Sequence, residues 1–490
     1  MKACVASPPI RDFYTTRHRL SALGACAVHE ILRGNGHESV YFNFPPEREK
    51  GTKMAMPAEL SHLEPFIIPG EYGPVSFFTE YRHFGPAMKI CAERICSSSP
   101  DMVFISCFAF AYALESLELA REVKRIMPHV VTCIGGAGAT VFPEYFFIKD
   151  TIDYIITGEA EISLPAFLRE MEQGGGPMIK IPGVFFTGNN YENFDLPLAH
   201  TGEGGIIPVM AKTLETTKHV HLSLSVTRGC RKSCRFCSNH LTHGKKFRKI
   251  PAEKIVEGVG RLPGGKRLFI NFEDDNLLQD KNYFISLLKE IRAMRKDALF
   301  SAENGLDYML MDPALVEELA GLGFRQLNLS MASMSRAQTD RDNRPASLAR
   351  LRGIVHAAEK SGFPSIIYFI CGLDGDTPDH TCDTLLFLDG LPAVAGISPF
   401  YAVPGIHGYT ARDIFRGLSP RLCAGSSAWP WNSTLSTKEI VTAFRLARFI
   451  NFRKKKRCND EERGLMETIM KEKRLFTLVN INGKNILTHH

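Results

Sequence analysis

No run of about 18 apolar residues occurs in the 490-residue chain, so no segment reads as a membrane-spanning helix. The longest apolar stretch, Met102 to Leu114, is closed by Glu115. The opening Met1-Lys2-Ala3-Cys4-Val5-Ala6-Ser7-Pro8-Pro9 is too short an apolar run for a secretory signal. Paired cysteine spacings are missing as well. Of the 13 cysteines only three cluster, and several of the rest sit inside apolar runs. That pattern excludes a disulfide framework and suits reduced, buried thiols in a cytoplasmic protein. Charge is thin: a net +6 over this length makes no strong field for nucleic acid or lipid. The one concentrated patch, Arg453-Lys454-Lys455-Lys456-Arg457, reads either as an anion-binding run or as a solvated helix face. There is no internal repeat and no recognisable nucleic-acid module. Tryptophan is rare, and Trp429 and Trp431 fall together, either to close over a ligand or to form a small satellite core.

What is present is an ordinary globular composition, 44% hydrophobic and 23% charged, at a length that asks for two or three domains. Residues 1–175 alternate strands (Ala3–Ala6, Val40–Phe42, Met102–Cys107, Val130–Ile134, Ile152–Ile156) with helices (Leu20–Arg33, Leu114–Met127, Ser163–Glu172). Residues 45–90, rich in proline and aromatics, give no assignment. The alternation predicts a doubly wound, Rossmann-like parallel sheet that binds ligands at its strands' carboxyl ends. Residues 176–220 read as a linker in which Pro182–Phe186 looks like a small hairpin strand. From 221 to 410 the alternation resumes, with strands at Leu222–Val226, Leu268–Phe272, Leu299–Asn304, Gln326–Ser330, Ile366–Cys371 and Ile397–Tyr401. Six such units fit a partial (β/α)6, TIM-like barrel. Residues 411–490 form a small α-rich extension with an amphipathic helix near Ile440–Phe452 and a β-like end at Leu475–Leu487. The fold class is α/β throughout.

Inside the second α/β unit stands Thr227-Arg228-Gly229-Cys230-Arg231-Lys232-Ser233-Cys234-Arg235-Phe236-Cys237. Spacings of four and three let thiolates from one loop converge on one metal cluster. Three ligands leave one iron open to a substrate or cosubstrate. The same spacing fits a zinc loop completed by His240 or His243.

The CxxxCxxC spacing, with Phe236 just before its last cysteine, resembles the signature of the radical SAM superfamily. The resemblance implies that Cys230, Cys234 and Cys237 hold a [4Fe–4S] cluster. S-adenosylmethionine (SAM) would supply the fourth ligand and be cleaved reductively, with an electron donor such as flavodoxin or ferredoxin. Upstream, Pro100–Ser106, Gly135-Gly136-Ala137-Gly138 and Asp153–Glu161 look like the landmarks of the cobalamin-binding domain that precedes some radical SAM cores. In that family Ser106, Gly135 and Gly136 would lie along the cobalamin nucleotide tail, where a turn without side chains lets base and phosphate approach the backbone. The DxHxxG motif that gives other cobalamin proteins a histidine to cobalt is missing. The loop there reads Ser7-Pro8-Pro9-Ile10-Arg11-Asp12-Phe13-Tyr14, with His18 nearest.

Further likenesses fall at successive strand ends. Glu273-Asp274-Asp275-Asn276 resembles the segment that binds the SAM ammonium, although carboxylates there also suit a helix N-cap. Glu303 and Asn304 end the third strand. Ser330 and Ser333 end the fourth, where the family faces the SAM ribose or carboxylate, with Ala332 where a glutamate often stands. Arg344 resembles an arginine that neutralises a carboxylate and equally suits a surface position. Gly372 opens a glycine-rich element that would lie against adenine, and Pro399–Gly405 resembles the segment flanking it. The implied activity is cobalamin-dependent methyl transfer to an unactivated carbon or a phosphorus centre of a small molecule. A rearrangement, cyclisation, hydroxylation or oxidation on the same architecture, with cobalamin unused for methyl transfer or absent, is the alternative. A non-enzymatic iron–sulfur or RNA-binding module leaves the six ordered strand ends unexplained.

Overall fold

Apolar runs without alternation make strands buried on both faces, and the N-terminal half is built on them. In the computed structural model, strand β1 (Lys2–Ser7) buries everything after Lys2. It lies between β2 (Glu38–Asn43) and β3 (Met102–Ser106); β4 (Val131–Gly135) and β5 (Tyr154–Ile156) continue the parallel sheet. The short strand of the linker region, β6 (Val184–Phe186), adds to this sheet as an antiparallel edge on β5. The order β2-β1-β3-β4-β5-β6 reverses direction at β1, which opens a crevice at the carboxyl ends of the central strands. Helices α1 (Leu23–Gly34) and α4 (Ala160–Glu172) cover one face, α2 (Met88–Ser97) and α3 (Ala113–Ile126) the other. The structure describes residues 1–15, 23–48, 50–68, 71, 73, 75–148, 150–174, 180–188, 201, 205–411, 413–432 and 434–455, and in the tail 464, 467–468, 472, 477–481 and 484–488.

The second sheet system starts with β7 (Met210–Glu215), antiparallel to β8 (His219–Leu224). Parallel strands β9 (Arg267–Phe272) and β10 (Leu299–Ser301) follow. Single bridges at Phe300–Phe324 and Leu306–Leu329 carry the wall on to β11 (Leu327–Ala332), β12 (Ser365–Cys371) and β13 (Val394–Pro399). β8 to β13 thus form an open, six-stranded barrel wall with α5 (Ala252–Gly260), α6 (Lys281–Met294), α7 (Pro313–Gly321), α8 (Leu348–Lys360) and α9 (Pro378–Asp389) between successive strands. Strands β3, β8, β10 and β13 end earlier than the sequence predicts. β10 stops at Ser301 because the Asn271 side-chain oxygen takes over, accepting from the Ser301 hydroxyl (3.1 Å) and the Glu303 N–H (3.0 Å). β13 is set by its register with β12, so it starts at Val394 and leaves Tyr401 outside, 42% exposed.

The C-terminal helix α10 (Thr437–Lys454) begins with a capping box between Ser436 and Glu439 and lies against β13. Its Asn451 accepts from the Ala395 N–H (2.7 Å) and donates to the Ala395 carbonyl (2.9 Å), standing in for a neighbouring strand. Arg445 of α10 pairs with Glu71 at 2.7 Å, both side chains wholly buried. The basic run is part of this anchoring. Arg453 pairs with Asp389, and the Lys454 ammonium donates to the carbonyls of Leu388 and Ala393. Lys456 and Arg457 lie outside the described residues. Trp431 packs edge-on against Tyr409 and Trp429 sits edge-on to His62, and both rings also pack against the barrel core. Thr477–Ile481 and Lys484–Thr488 pair as a hairpin. No helix among the described residues is long and apolar enough to cross a membrane.

Candidate functional site

The carboxyl ends of the two sheets face each other across one cleft of about 520 Å³. Its N-terminal wall carries Ser106, Gly135 and Gly136, with Ala25 and Val28 of α1. Its barrel wall carries Ser225, Arg228, His243, Glu273 and Asn304. Gly136 has φ 101°, and a Cβ there would stand 2.6 Å from the Cys107 carbonyl oxygen. The turn therefore demands glycine on its own account, besides offering bare backbone to a ligand. His18 lies outside the described residues.

The cysteine loop leaves the end of β8 and is held from three directions. Asp274, next to β9, accepts through Oδ1 from the N–H groups of Val226 (2.9 Å) and Thr227 (2.5 Å) and from the Thr227 hydroxyl (2.6 Å). Burial pushes its carboxyl up to about 7 against these hydrogen bonds, and Oδ2 has no partner among the described residues. Asp275 accepts from the Gly229 N–H (2.9 Å) and meets His243 at 3.1 Å. From the fourth strand end, the Asn343 side chain donates to the Ser233 carbonyl, and the Asp342 carbonyl accepts from the Arg235 N–H. Inside the loop, burial raises the Cys237 thiol to about 11, with Cys234 and Cys230 close enough to add to the shift. Among the described residues no group of three histidine, cysteine or carboxylate side chains closes on a single-ion position. Three thiols on one loop are a donor set for a cluster with one open iron.

The remaining expected residues divide into two groups. Glu273 is held by the Ser223 hydroxyl (2.7 Å) and the Asn271 amide (3.3 Å) where it lines the cleft beside Asn304. Arg344 donates to the Ser330 hydroxyl (2.7 Å) and carbonyl (3.0 Å) and lies beside Cys234. Phe236 packs on Leu373, Phe400 and Ile406. Gly372, with φ 91°, donates to Asp376 and accepts from the Asn432 amide (2.6 Å). Ser333, by contrast, is buried in the turn before residues 336–341, bonded to Gln338. Glu303 contributes its backbone N–H to Asn271.

Sequence reasoning missed a joint between the halves. Glu159 and Glu161, at the start of α4, meet Arg228 and Arg248 on either side of the cysteine loop. The Arg248 guanidinium, 2% exposed, spans both Glu159 oxygens (2.7 and 2.8 Å) and also reaches the carbonyls of Thr201 and His243. Thr201 donates its N–H and hydroxyl to Glu159, each at 2.7 Å, and Arg228 reaches Glu161 at 2.7 Å. Burial alone would raise the Glu159 carboxyl; these hydrogen bonds and the Arg228 charge outweigh it and hold it at about 2. The only signal in the sequence was a pair of acids, read as a cofactor landmark, and Arg248 inside a run of basic residues.

Comparison with known proteins fits this geometry. Residues 224–388 match the Radical SAM superfamily and residues 85–168 the B12 binding domain. The chain is 27% identical over 176 residues to hopanoid C-3 methylase of Methylococcus capsulatus, covering 33% of this chain and 32% of that protein. It is 24% identical over 341 residues to cytidylyl-2-hydroxyethylphosphonate methyltransferase of Streptomyces wedmorensis, covering 61% and 63%. The matches thus span about a third and about three fifths of these relatives' lengths. In fold the chain resembles the methyltransferase TsrM from Kitasatospora setae, solved with cobalamin and a [4Fe–4S] cluster (TM-score 0.60, 15% identity, 83% of this chain and 77% of that one). It also resembles OxsB, a cobalamin-dependent SAM radical enzyme solved with aqua-cobalamin (TM-score 0.53, 12% identity, 99% and 64%). With two matched domains and one shared cleft, the chain joins a B12-binding domain to a radical SAM domain, a pairing whose cofactors are a [4Fe–4S] cluster, SAM and cobalamin.

Proposed function

We propose that this enzyme methylates an unactivated carbon or a phosphorus centre of a small molecule, as the names of its methyltransferase relatives suggest. The observation that carries the reading is the single cleft, walled by Ser106, Gly135 and Gly136 on one side and by Ser225, Glu273 and Asn304 on the other. When bound, the cluster supplies the electron that splits SAM and cobalamin supplies the methyl group. The chain's own residues position, hold and exclude water. Cys230, Cys234 and Cys237 hold the cluster, and Asp274, Asp275 and Arg344 fix the loop that bears them. Glu273, oriented by Ser223 and Asn271, meets the methionyl ammonium. Gly372 and Phe236 flank the adenine, with Ser330 towards the ribose. Ser106, Gly135 and Gly136 cradle the nucleotide tail. Flavodoxin or ferredoxin serves as electron donor in the cytoplasm.

Anaerobic reconstitution with iron, sulfide and hydroxocobalamin tests this reading. Wild type is expected to release both 5′-deoxyadenosine and S-adenosylhomocysteine under reducing turnover. The triple Cys230→Ala, Cys234→Ala, Cys237→Ala variant releases neither. Ser106→Phe, which fills the tail side of the cleft while leaving Gly135 and Gly136 as they are, loses cobalamin absorbance but keeps its iron. Deoxyadenosine with no S-adenosylhomocysteine and no methylated product would replace methyl transfer by a rearrangement, cyclisation, hydroxylation or oxidation.

A further inference from the structure

A second cavity, of about 440 Å³, lies between the N-terminal sheet, the end of β13 and the C-terminal extension. Phe108 lines both this cavity and the cofactor cleft and is 38% exposed, so one aromatic side chain separates the two spaces. The walls are rich in rings: Phe77, Phe78, Phe108, Tyr112, Tyr401 and Phe444. Several are already seated on one another, Phe78 on Phe444 at 5.1 Å, Phe77 edge-on to Phe444 at 5.5 Å and Phe108 against Tyr112 at 5.0 Å. Preseated rings offer flat apolar area at little entropic cost, and the volume falls within the range of small-molecule pockets.

Charge is the second feature. Among the described residues no lysine, arginine or histidine lines this cavity, and the one carboxylate among them, Asp12, is already engaged. Asp12 accepts from the Phe13 N–H (2.6 Å) and the Tyr112 hydroxyl (2.7 Å), so it fixes a wall ring. A phosphate or carboxylate entering here would be desolvated with no counter-charge from the described lining residues. One polar atom is left over: the buried Thr15 hydroxyl, which lines the cavity and has no hydrogen-bond partner among the described residues.

Resting on the radical chemistry proposed above, we infer that this cavity holds the substrate, and that the substrate is an uncharged, ring-bearing small molecule with a polar group for Thr15. Phe108 is the partition past which its reacting atom meets the cofactors. The cofactor cleft then needs to accommodate only that end of the molecule.

Benzophenone, an uncharged two-ring molecule that inserts into nearby C–H bonds on irradiation, is the probe, with benzophenone-4-carboxylate as its charged counterpart. Wild-type enzyme loaded with cluster and hydroxocobalamin is irradiated anaerobically with each, and labelled peptides are read by mass spectrometry. Benzophenone is expected to mark the peptides holding Phe77 and Phe78, Phe108 to Tyr112, and Tyr401, and the carboxylate to leave them unmarked. Ser398→Phe puts a ring into the cavity from β13, and Ala424→Phe does so from the extension. Either one, if it keeps the wild-type melting temperature, loses the labels. Labelling that ignores charge, or that falls elsewhere, overturns the inference on wild type alone. 5′-Deoxyadenosine release by the same preparation reports the radical chemistry separately. Release without label sinks only the cavity, whereas label without release removes the substrate assignment together with the function it rests on.

Discussion

Asp274 accepts three hydrogen bonds from the turn that launches the cysteine loop, while its neighbour Glu273 faces the cleft. Successive side chains beyond a strand point to different sides. A sequence therefore shows that three acids stand together without showing which one meets the loop and which the ligand. The cysteine triplet stands out in the sequence because the chemistry expected of it depends on spacing alone. Arg248 does not, because a buried guanidinium and an exposed one look alike in a basic stretch. An amide oxygen can replace the Asp274 Oδ1, and burial already moves this carboxyl towards neutrality. Asp274→Asn is therefore expected to bind iron as wild type does. Asp274→Leu strands three donors, at roughly 1–3 kcal/mol for each that stays buried, and should lose most of its iron on anaerobic reconstitution. Equal iron content in the two variants would remove Asp274 from the support of the loop.

Helix α2 shows why one element escaped prediction. Its buried Met88, Cys91, Ala92, Ile95 and Cys96 keep a helical period, but Gly85 and Pro86 and the irregular chain before them hid its start. That earlier stretch makes sense only in three dimensions: Tyr81–Phe84 pairs with Ile10–Asp12 and Thr52–Met54, and Glu71 waits for an arginine far along the chain. Regular βα alternation, in contrast, was legible in both halves because each strand needs only its own apolar run. The Glu71–Arg445 pair makes a sharp test of how α10 is attached. Arg445→Leu leaves a buried carboxylate without this partner and should cost about 3–5 kcal/mol, read as a lowered melting temperature. Adding Glu71→Gln should restore a good part of it. No recovery in the double variant would mean that the arginine acts through packing alone.

Taken as one body, the enzyme depends on the carboxyl ends of two sheets facing each other across a cleft, and the Glu159–Arg248 pair is one of the contacts that bridge it. The groups facing Glu159 are Arg248, Arg228, Glu161 and Thr201, with the His243 carbonyl on the far side of Arg248. Its carboxyl sits at about 2 in place of the ordinary 4.5, so the joint's contribution is complete above about 4.5 and is lost as pH falls towards 2. That amounts to roughly 3 kcal/mol. Small-angle scattering should show the halves parting over this window, and Arg248→Met should be parted already at neutral pH. A wild-type profile that stays flat down to pH 2 would show that other contacts hold the cleft. The order in which the chain is made gives Asn451 a further consequence. The ribosome delivers β13 well before α10, so until residues 437–454 emerge the outer edge of the barrel has backbone groups open to any passing strand. Asn451 then acts as a late-arriving guard, and a shortened transcript would yield not a smaller enzyme but a sticky one.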